Sequence, residues 1–329
     1  MHKRLFNEAI IELTIAPTGP VLIKAGEGAA DPTKPDMSFV RTMRNGGETI
    51  YLPGSSLKGV LRAHCERLAR TLQSRLACDP LGDHSCSERL EKESKRLEQE
   101  KKKLSSMEKY AKSCFLCQLF GHTRIASHFR ISDAYPLGAC HTEERNGVAI
   151  DRVFGSVAHG PFNYETVTAG SFETRLNLFK AMLYLKNFTL AQVGLLALAV
   201  RDLTAERVRL GFGKSRGLGT VTARVNALLL RYPLCELREG KLRLIDGREL
   251  GAAGQVYGVG AFAKHFPEDS GYGYQANDVV PLEGYEYSVN EWDEVEIRAP
   301  QADGQADWQR LGRACAGKWK EVVNDGRRD

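Results

Sequence analysis

The sequence predicts an α+β fold built on a ferredoxin-like βαββαβ core, and three patterns carry that expectation. Residues 50–62, IYLPGSSLKGVLR, read as a short apolar strand, a Pro-Gly break and the start of a helix. Residues 189–206, TLAQVGLLALAVRDLTAE, read as a second, strongly apolar helix, and a glycine-rich run from Gly211 to Gly219 leads from it into a strand at 220–231. Alternating apolar positions at 5–15, 129–133 and 172–185 supply the remaining strands. Without insertions the order is strand, helix, strand, strand, helix, strand, with no second copy.

Taken in order, the first strand at 5–15 runs into a loop rich in Gly, Pro and Ala at 17–35. A loop that long in a compact domain is usually functional or disordered. It delivers Asp31 and Asp36, then Ser38, Arg41 and Arg44, to the strand–turn–helix unit. Ser55 and Ser56 are the expected N-caps of the first helix. Leu57, Val60, Leu61, His64, Cys65, Leu68, Leu72 and Leu76 then recur at helical spacing. Lys58 in the first turn and Arg62 one turn later are unfavourable for the helix alone, because its N-terminus already carries partial positive charge. They make sense if an anion such as a phosphate docks there. Two solvated cations are the plain alternative.

An insertion follows at 77–121. Its charged stretch, SERLEKESKRLEQEKKKLSSMEKYAK, has opposite charges three and four apart, which predicts an exposed helix or helical hairpin. Residues 146–168 read as a long hairpin with Gly155 and Gly160 near its tip. The core module is thus expected to span 1–231. Residues 232–329 have weak periodicity, one short terminal helix expected at 308–323 and no evident role. The βαββαβ order is also that of RRM-type RNA-recognition modules.

Composition sets wide bounds. With 329 residues and 42% hydrophobic content the chain can bury a real core. A net charge of +5 is too small to argue nucleic-acid binding by itself. Its distribution says more: cations gather around Arg41, Arg44, Lys58 and Arg62 and again at Lys214 and Arg216, whereas acids dominate from Glu268 to Asp307. No run is long enough to span a membrane and the N-terminus lacks a secretory pattern, so a cytoplasmic protein with no membrane partner is expected. Eight cysteines then argue for metal or burial, not disulfides.

Cys78, Cys86, Cys114 and Cys117 form the clearest metal candidate. A Cys-x-x-Cys pair can converge on one tetrahedral ion, and Cys78 and Cys86 would complete the set across a turn. Four protein ligands fit a structural Zn²⁺, with His84 able to replace one cysteine. Ordinary buried cysteines or a redox pair are the alternatives. Cys65, Cys140, Cys235 and Cys315 read as core or surface residues. Gly213-Lys214-Ser215 mimics the end of a phosphate-binding Walker loop, but Val208 stands where the motif needs glycine, and a strand follows where a helix is required. A flexible backbone surface with Lys214 and Arg216 aimed at phosphates is the better reading.

Three motifs resemble one family in the order the family has them. Pro53-Gly-Ser-Ser-Leu-Lys-Gly59 before a helix, the hairpin with Ile150-Asp-Arg152 and Tyr164-Glu165, and Gly211-Phe-Gly-Lys-Ser-Arg-Gly-Leu-Gly219 before the last core strand are similar to the RAMP superfamily, the RNA-binding proteins of CRISPR systems. The chain looks most like the backbone (Cas seven-type) subunits of type III effectors. The resemblance covers about 5–231; the charged insertion and the extension depart from it. It implies guide-RNA contacts through Ser55, Ser56, Lys58, Arg62, Arg41, Arg152, Lys214 and Arg216. It implies that the hairpin is a thumb wedging into the guide–target duplex through Val153, Phe154 and Val157. It further implies metal-dependent (Mg²⁺ or Mn²⁺) cleavage of complementary target RNA, with Asp36 first and Asp31 second as the catalytic aspartate, alongside other effector subunits and copies of the chain itself. Taken alone, both aspartates would read as turn residues. The rivals are a non-catalytic scaffold of the same complex, a guide-precursor endoribonuclease using His64 or His122, and a nucleotide-dependent enzyme.

Overall fold

A computed structural model describes residues 4–26 and 35–325. It is a mixed α+β structure organised on one antiparallel seven-stranded sheet. The first strand, β1 (Glu8–Pro17), lies at its centre. Helix α1 (Gly54–Leu72) follows, then α2 (Cys86–Gln99), α3 (Ser106–Ala111) and α4 (Phe115–Phe120) of the insertion. Next come β2 (Phe129–Ile131), the hairpin strands β3 (Thr142–Ile150) and β4 (Val157–Val167), β5 (Phe179–Lys186), α5 (Leu190–Thr204) and β6 (Val221–Tyr232). β1 pairs antiparallel with β5 on one side and β6 on the other, and β2 pairs with the far edge of β5.

Local chemistry explains the central elements. In β5, Phe179, Ala181, Leu183 and Leu185 alternate inward with half-buried or exposed neighbours, as a strand with one covered face requires. Helix α5 starts with a capping box: the Thr189 hydroxyl accepts the Gln192 N–H, and the Gln192 side chain accepts the Thr189 N–H. Its apolar character on most sides has a cause. The sheet covers one face and the terminal helix Trp308–Asp325 another, so close that a Cβ on Gly194 would meet the Cys315 carbonyl oxygen at 2.2 Å.

Several elements differ from expectation. The strand expected at 50–52 is instead the end of a small hairpin, Arg41–Arg44 with Gly47–Ile50, turning through Asn45 and Gly46 at φ of 50° and 80°. Positive φ at both residues is the two-residue hairpin turn that Asn-Gly favours. Gly160 lies within β4 and only Gly155 is at the hairpin tip. The expected module boundary at 231 falls inside β6. Beyond it, β7 (Glu286–Val289) and β8 (Val295–Arg298) extend the same sheet, with Val295 opposite Tyr232. The terminal helix falls where it was expected, at Trp308–Asp325, and seats Trp319 in the core against Phe115. Among the described residues no helix is long and apolar enough to cross a membrane.

Candidate nucleic-acid interface and metal centre

The strand–turn–helix unit is built by close approach. A Cβ on Gly54 would come within 2.6 Å of the Ile131 carbonyl oxygen, so only glycine lets α1 enter beside β2. Ser55 and Ser56 are not caps. They sit in the first turn, and α1 has no side-chain cap at Pro53. The Gly54 N–H is taken instead by Asp133 Oδ1 at 2.7 Å. Lys58 Nζ donates to Ser127 Oγ at 2.8 Å, and burial, helped by nearby Arg62, lowers its pKa. Arg62 points inward: it donates to Glu66 at 2.8 Å, to the Gly121 carbonyl at 2.9 Å and to Cys117 Sγ at 3.7 Å.

The glycine-rich loop is a folded backbone surface. Gly211, Gly213, Gly217 and Gly219 all have positive φ, and a Cβ on Gly211 would lie 2.1 Å from the Leu22 carbonyl oxygen. Lys214–Arg216 form one 3₁₀ turn and β6 follows, so the Walker-loop reading finds no helix to support it. Lys214 is partly desolvated, which lowers its pKa, with Arg67 contributing. Arg216 packs over the Phe212 ring at 4.9 Å.

The base of the hairpin gathers the Asp36 segment. Asp36 is exposed, and its Oδ2 accepts the Asn163 N–H at 2.9 Å. Met37 continues the contact, donating to the Asn163 carbonyl at 3.1 Å and accepting from Glu165 N at 3.0 Å. Arg41 is committed to Glu165, donating from Nη1 at 2.7 Å, and the same carboxylate accepts the Phe39 N–H at 3.0 Å. Its charge is therefore largely spent inside the protein. Asp31 lies outside the described residues. At the far end of the hairpin Arg152 is exposed, and Val153, Phe154 and Val157 are 82%, 83% and 54% exposed. Asp151 Oδ1 accepts the N–H groups of both Val153 and Phe154 at 2.8 Å, which fixes the tip.

The four cysteines converge. Their sulfurs all lie within 4.8 Å of one another, with Cys78 Sγ 3.6 Å from Cys117 Sγ. His84 is exposed and not part of the group. Cys86 opens α2 and Cys114 is the N-cap of α4, so two of the thiols sit at helix N-termini, where negative charge is favoured. Backbone N–H groups reach the sulfurs, Cys114 N to Cys86 Sγ at 3.1 Å and Cys78 N to Cys114 Sγ at 3.4 Å. Hydrogen bonds within the cluster, led by that with Cys114, bring Cys78 down to about 6 and hold Cys86 well below the usual thiol range. Four closely spaced sulfurs fit a metal such as zinc.

The two histidine candidates are both engaged. His64 is buried, with Nε2 2.8 Å from Asp202 and Nδ1 3.2 Å from Arg67. His122 shares a hydrogen bond with Ser113 Oγ at 3.0 Å, and burial lowers its pKa. Sequence reasoning missed Asp133, Glu165 and Arg89. Asp133 had one local signal, an acid at the end of the apolar run 129–133. Glu165 lay inside a quoted motif and was not given a partner. Arg89 lay in the charged run, where nothing marked it out.

The strand-turn-helix with its tight glycine, the glycine-rich loop before the last central strand and the long exposed hairpin all stand on one mixed α+β structure. The RAMP superfamily model matches residues 14–222, more than half of the chain, and the chain belongs to that superfamily. Its members are CRISPR-associated RNA-binding proteins that generally work in complexes with RNA and other subunits, and some are nucleases. No curated protein matches the chain.

Proposed function

We propose that this chain is a backbone subunit of a type III CRISPR effector that grips guide RNA and cleaves paired target RNA. In this reading the central strands in the order β6, β1, β5, β2, with α1 and α5, are the ferredoxin-like core, and β7 and β8 extend its sheet. Ser55, Ser56, Lys58, Lys214 and Arg216 meet guide phosphates, Arg152 acts at the tip, and base pairing supplies the sequence specificity. The exposed apolar tip supports a wedge between bases. The effector's other subunits and further copies of the chain are its partners, in the cytoplasm.

The observation that carries the catalytic reading is the exposed Asp36 carboxylate, held by Asn163 N–H at the base of the hairpin. The target 2′-oxygen attacks its own phosphorus, the bond to the 5′-oxygen breaks, and a 2′,3′-cyclic phosphate and a 5′-hydroxyl result. Asp36 accepts the 2′-hydroxyl proton or orients a divalent ion, which when bound supplies charge neutralisation at the phosphate.

The test is cleavage of labelled complementary RNA by the guide-loaded complex with Mg²⁺, comparing wild type, Asp36→Ala and Asp31→Ala. Loss of cutting in Asp36→Ala with target binding retained supports the assignment. Unchanged cutting in both variants leaves the chain a scaffold. That second reading is favoured by one observation: Glu165, close by in the same hairpin base, is bound to Arg41 and not offered to a metal.

A further inference from the structure

Two guanidinium groups face the cysteine cluster. Arg62 reaches Cys117 Sγ at 3.7 Å and Arg89 reaches Cys86 Sγ at 3.3 Å. We infer that Arg62 and Arg89 are positioning residues of the cysteine metal centre, and that Arg62 serves the metal site and not an RNA phosphate. The inference rests on the cysteines holding a metal, and it does not depend on RNA cleavage.

The charge balance asks for such groups. Four thiolates around one divalent ion leave an excess of about two negative charges, and hydrogen bonds to ligating atoms fix their orientation and tune affinity. The arginines sit on two different sulfurs, Cys117 and Cys86, which belong to different halves of the site. Arg62 is the better fixed. Its Nε donates to Glu66 and its Nη1 to the carbonyl of Gly121, the residue that ends α4, so only Nη2 is directed at sulfur. One planar fork thus ties α1 both to Cys117 and to the end of the helix that carries it. Its side chain is 22% exposed, too enclosed to present the same fork to a phosphate outside. The metal centre and the strand–turn–helix unit therefore share a residue.

The experiment uses full-length protein, stripped of metal and refilled with Zn²⁺ or Co²⁺, in wild-type, Arg62→Ala, Arg62→Lys and Arg89→Ala forms. Metal affinity is read by competition with a chromophoric chelator, ligand geometry by the sulfur-to-Co²⁺ charge-transfer band. Binding of a single-stranded RNA oligonucleotide is read across salt concentration. Arg62→Ala and Arg89→Ala are expected to weaken metal binding about 10- to 100-fold and to shift the band, with Arg62→Lys recovering part of the loss. The RNA salt slope should stay that of wild type. Wild-type metal affinity in Arg62→Ala, with a slope shallower by about 0.7, the value for one lost single-strand phosphate contact, overturns the inference. If Arg62→Ala does not fold, Arg89→Ala decides it, because Arg89 lies on the exposed side of α2 and unchanged metal affinity there is equally fatal. A wild-type chain that binds neither ion sinks the metal centre itself, an outcome separable from the others.

Discussion

Asp133 closes the N-terminus of α1, its Oδ1 accepting the Gly54 N–H at 2.7 Å across 79 residues of sequence. A carboxylate there satisfies one orphan donor and complements the helix dipole. If a guide phosphate docks at this helix end as proposed, the motif holds an internal anion beside the surface that would receive an external one.

Separating these effects needs two variants. Asp133→Asn keeps an acceptor and removes the charge; RNA should bind more tightly, with Tm changed little. Asp133→Ala removes the acceptor too and should cost about 1 kcal/mol, the usual value of a lost helix cap. Thermal melts and RNA titration at fixed salt distinguish them. Weaker RNA binding in Asp133→Asn would count against a phosphate at this helix end.

At the hairpin tip, function and stability should part company. Phe154 is 83% exposed, so Phe154→Ser should change unfolding free energy by no more than about 0.5 kcal/mol. If the tip wedges into a guide–target duplex, the same change should alter the pairing footprint of bound target RNA. Chemical probing of base accessibility in the assembled complex reads this directly, and an unaltered footprint would rule out Phe154 as the wedge.

If the four cysteines hold a metal, its removal should loosen the insertion before the sheet. Cys78 and Cys114 are 36 residues apart, and a metal bound by the folded set but not by the unfolded chain would add its binding free energy to the stability of this base. Chelation or Cys117→Ser is therefore expected to lower Tm and to open protease sites between Cys78 and Cys114, with the strands around β1 still protected. Limited proteolysis with mass analysis checks the order of events.

His128 predicts an acid-side loss of stability. It is buried, stacks on Tyr110 at 5.2 Å, and its Nδ1 is 3.0 Å from the Asn187 carbonyl oxygen. Burial lowers its pKa from 6.5 to about 4. Unfolding then takes up a proton between those values, so its contribution is fully present above pH 6.5 and is lost as pH falls through 4. The size is on the order of 3 kcal/mol across that window. Urea unfolding of wild type and His128→Asn over this range should show a flatter profile in the variant.

β1, β5 and β6 and the helices α1 and α5 were legible because each is long enough to show its period, as the alternation of β5 does, whereas the three-residue β2 was read only as part of the apolar run 129–133. The cysteine set was legible from Cys-x-x-Cys spacing. What escaped depended on partners distant in sequence. Ser55 and Ser56 are good caps by type, yet the acceptor comes from Asp133. Arg41 and Arg62 looked like surface cations, and their acids and sulfur ligands were invisible until the chain folded. The Asn45-Gly46 turn did carry a local signal, masked by the short apolar run after it. β7 and β8 are four residues each, too short for periodicity to rise above the surrounding Gly and Asp.

The converged cysteines also bear on how fast the chain can find its fold. α1 and β2 touch at Gly54, yet the whole charged excursion separates them in sequence. With its base pinched shut, the excursion is short-circuited, and the search that brings β2 beside α1 becomes nearly local. Contact order, which sets the pace of small-domain folding, is in effect reduced without deleting a residue. A chain refolding with metal present should reach its sheet sooner than one refolding without it.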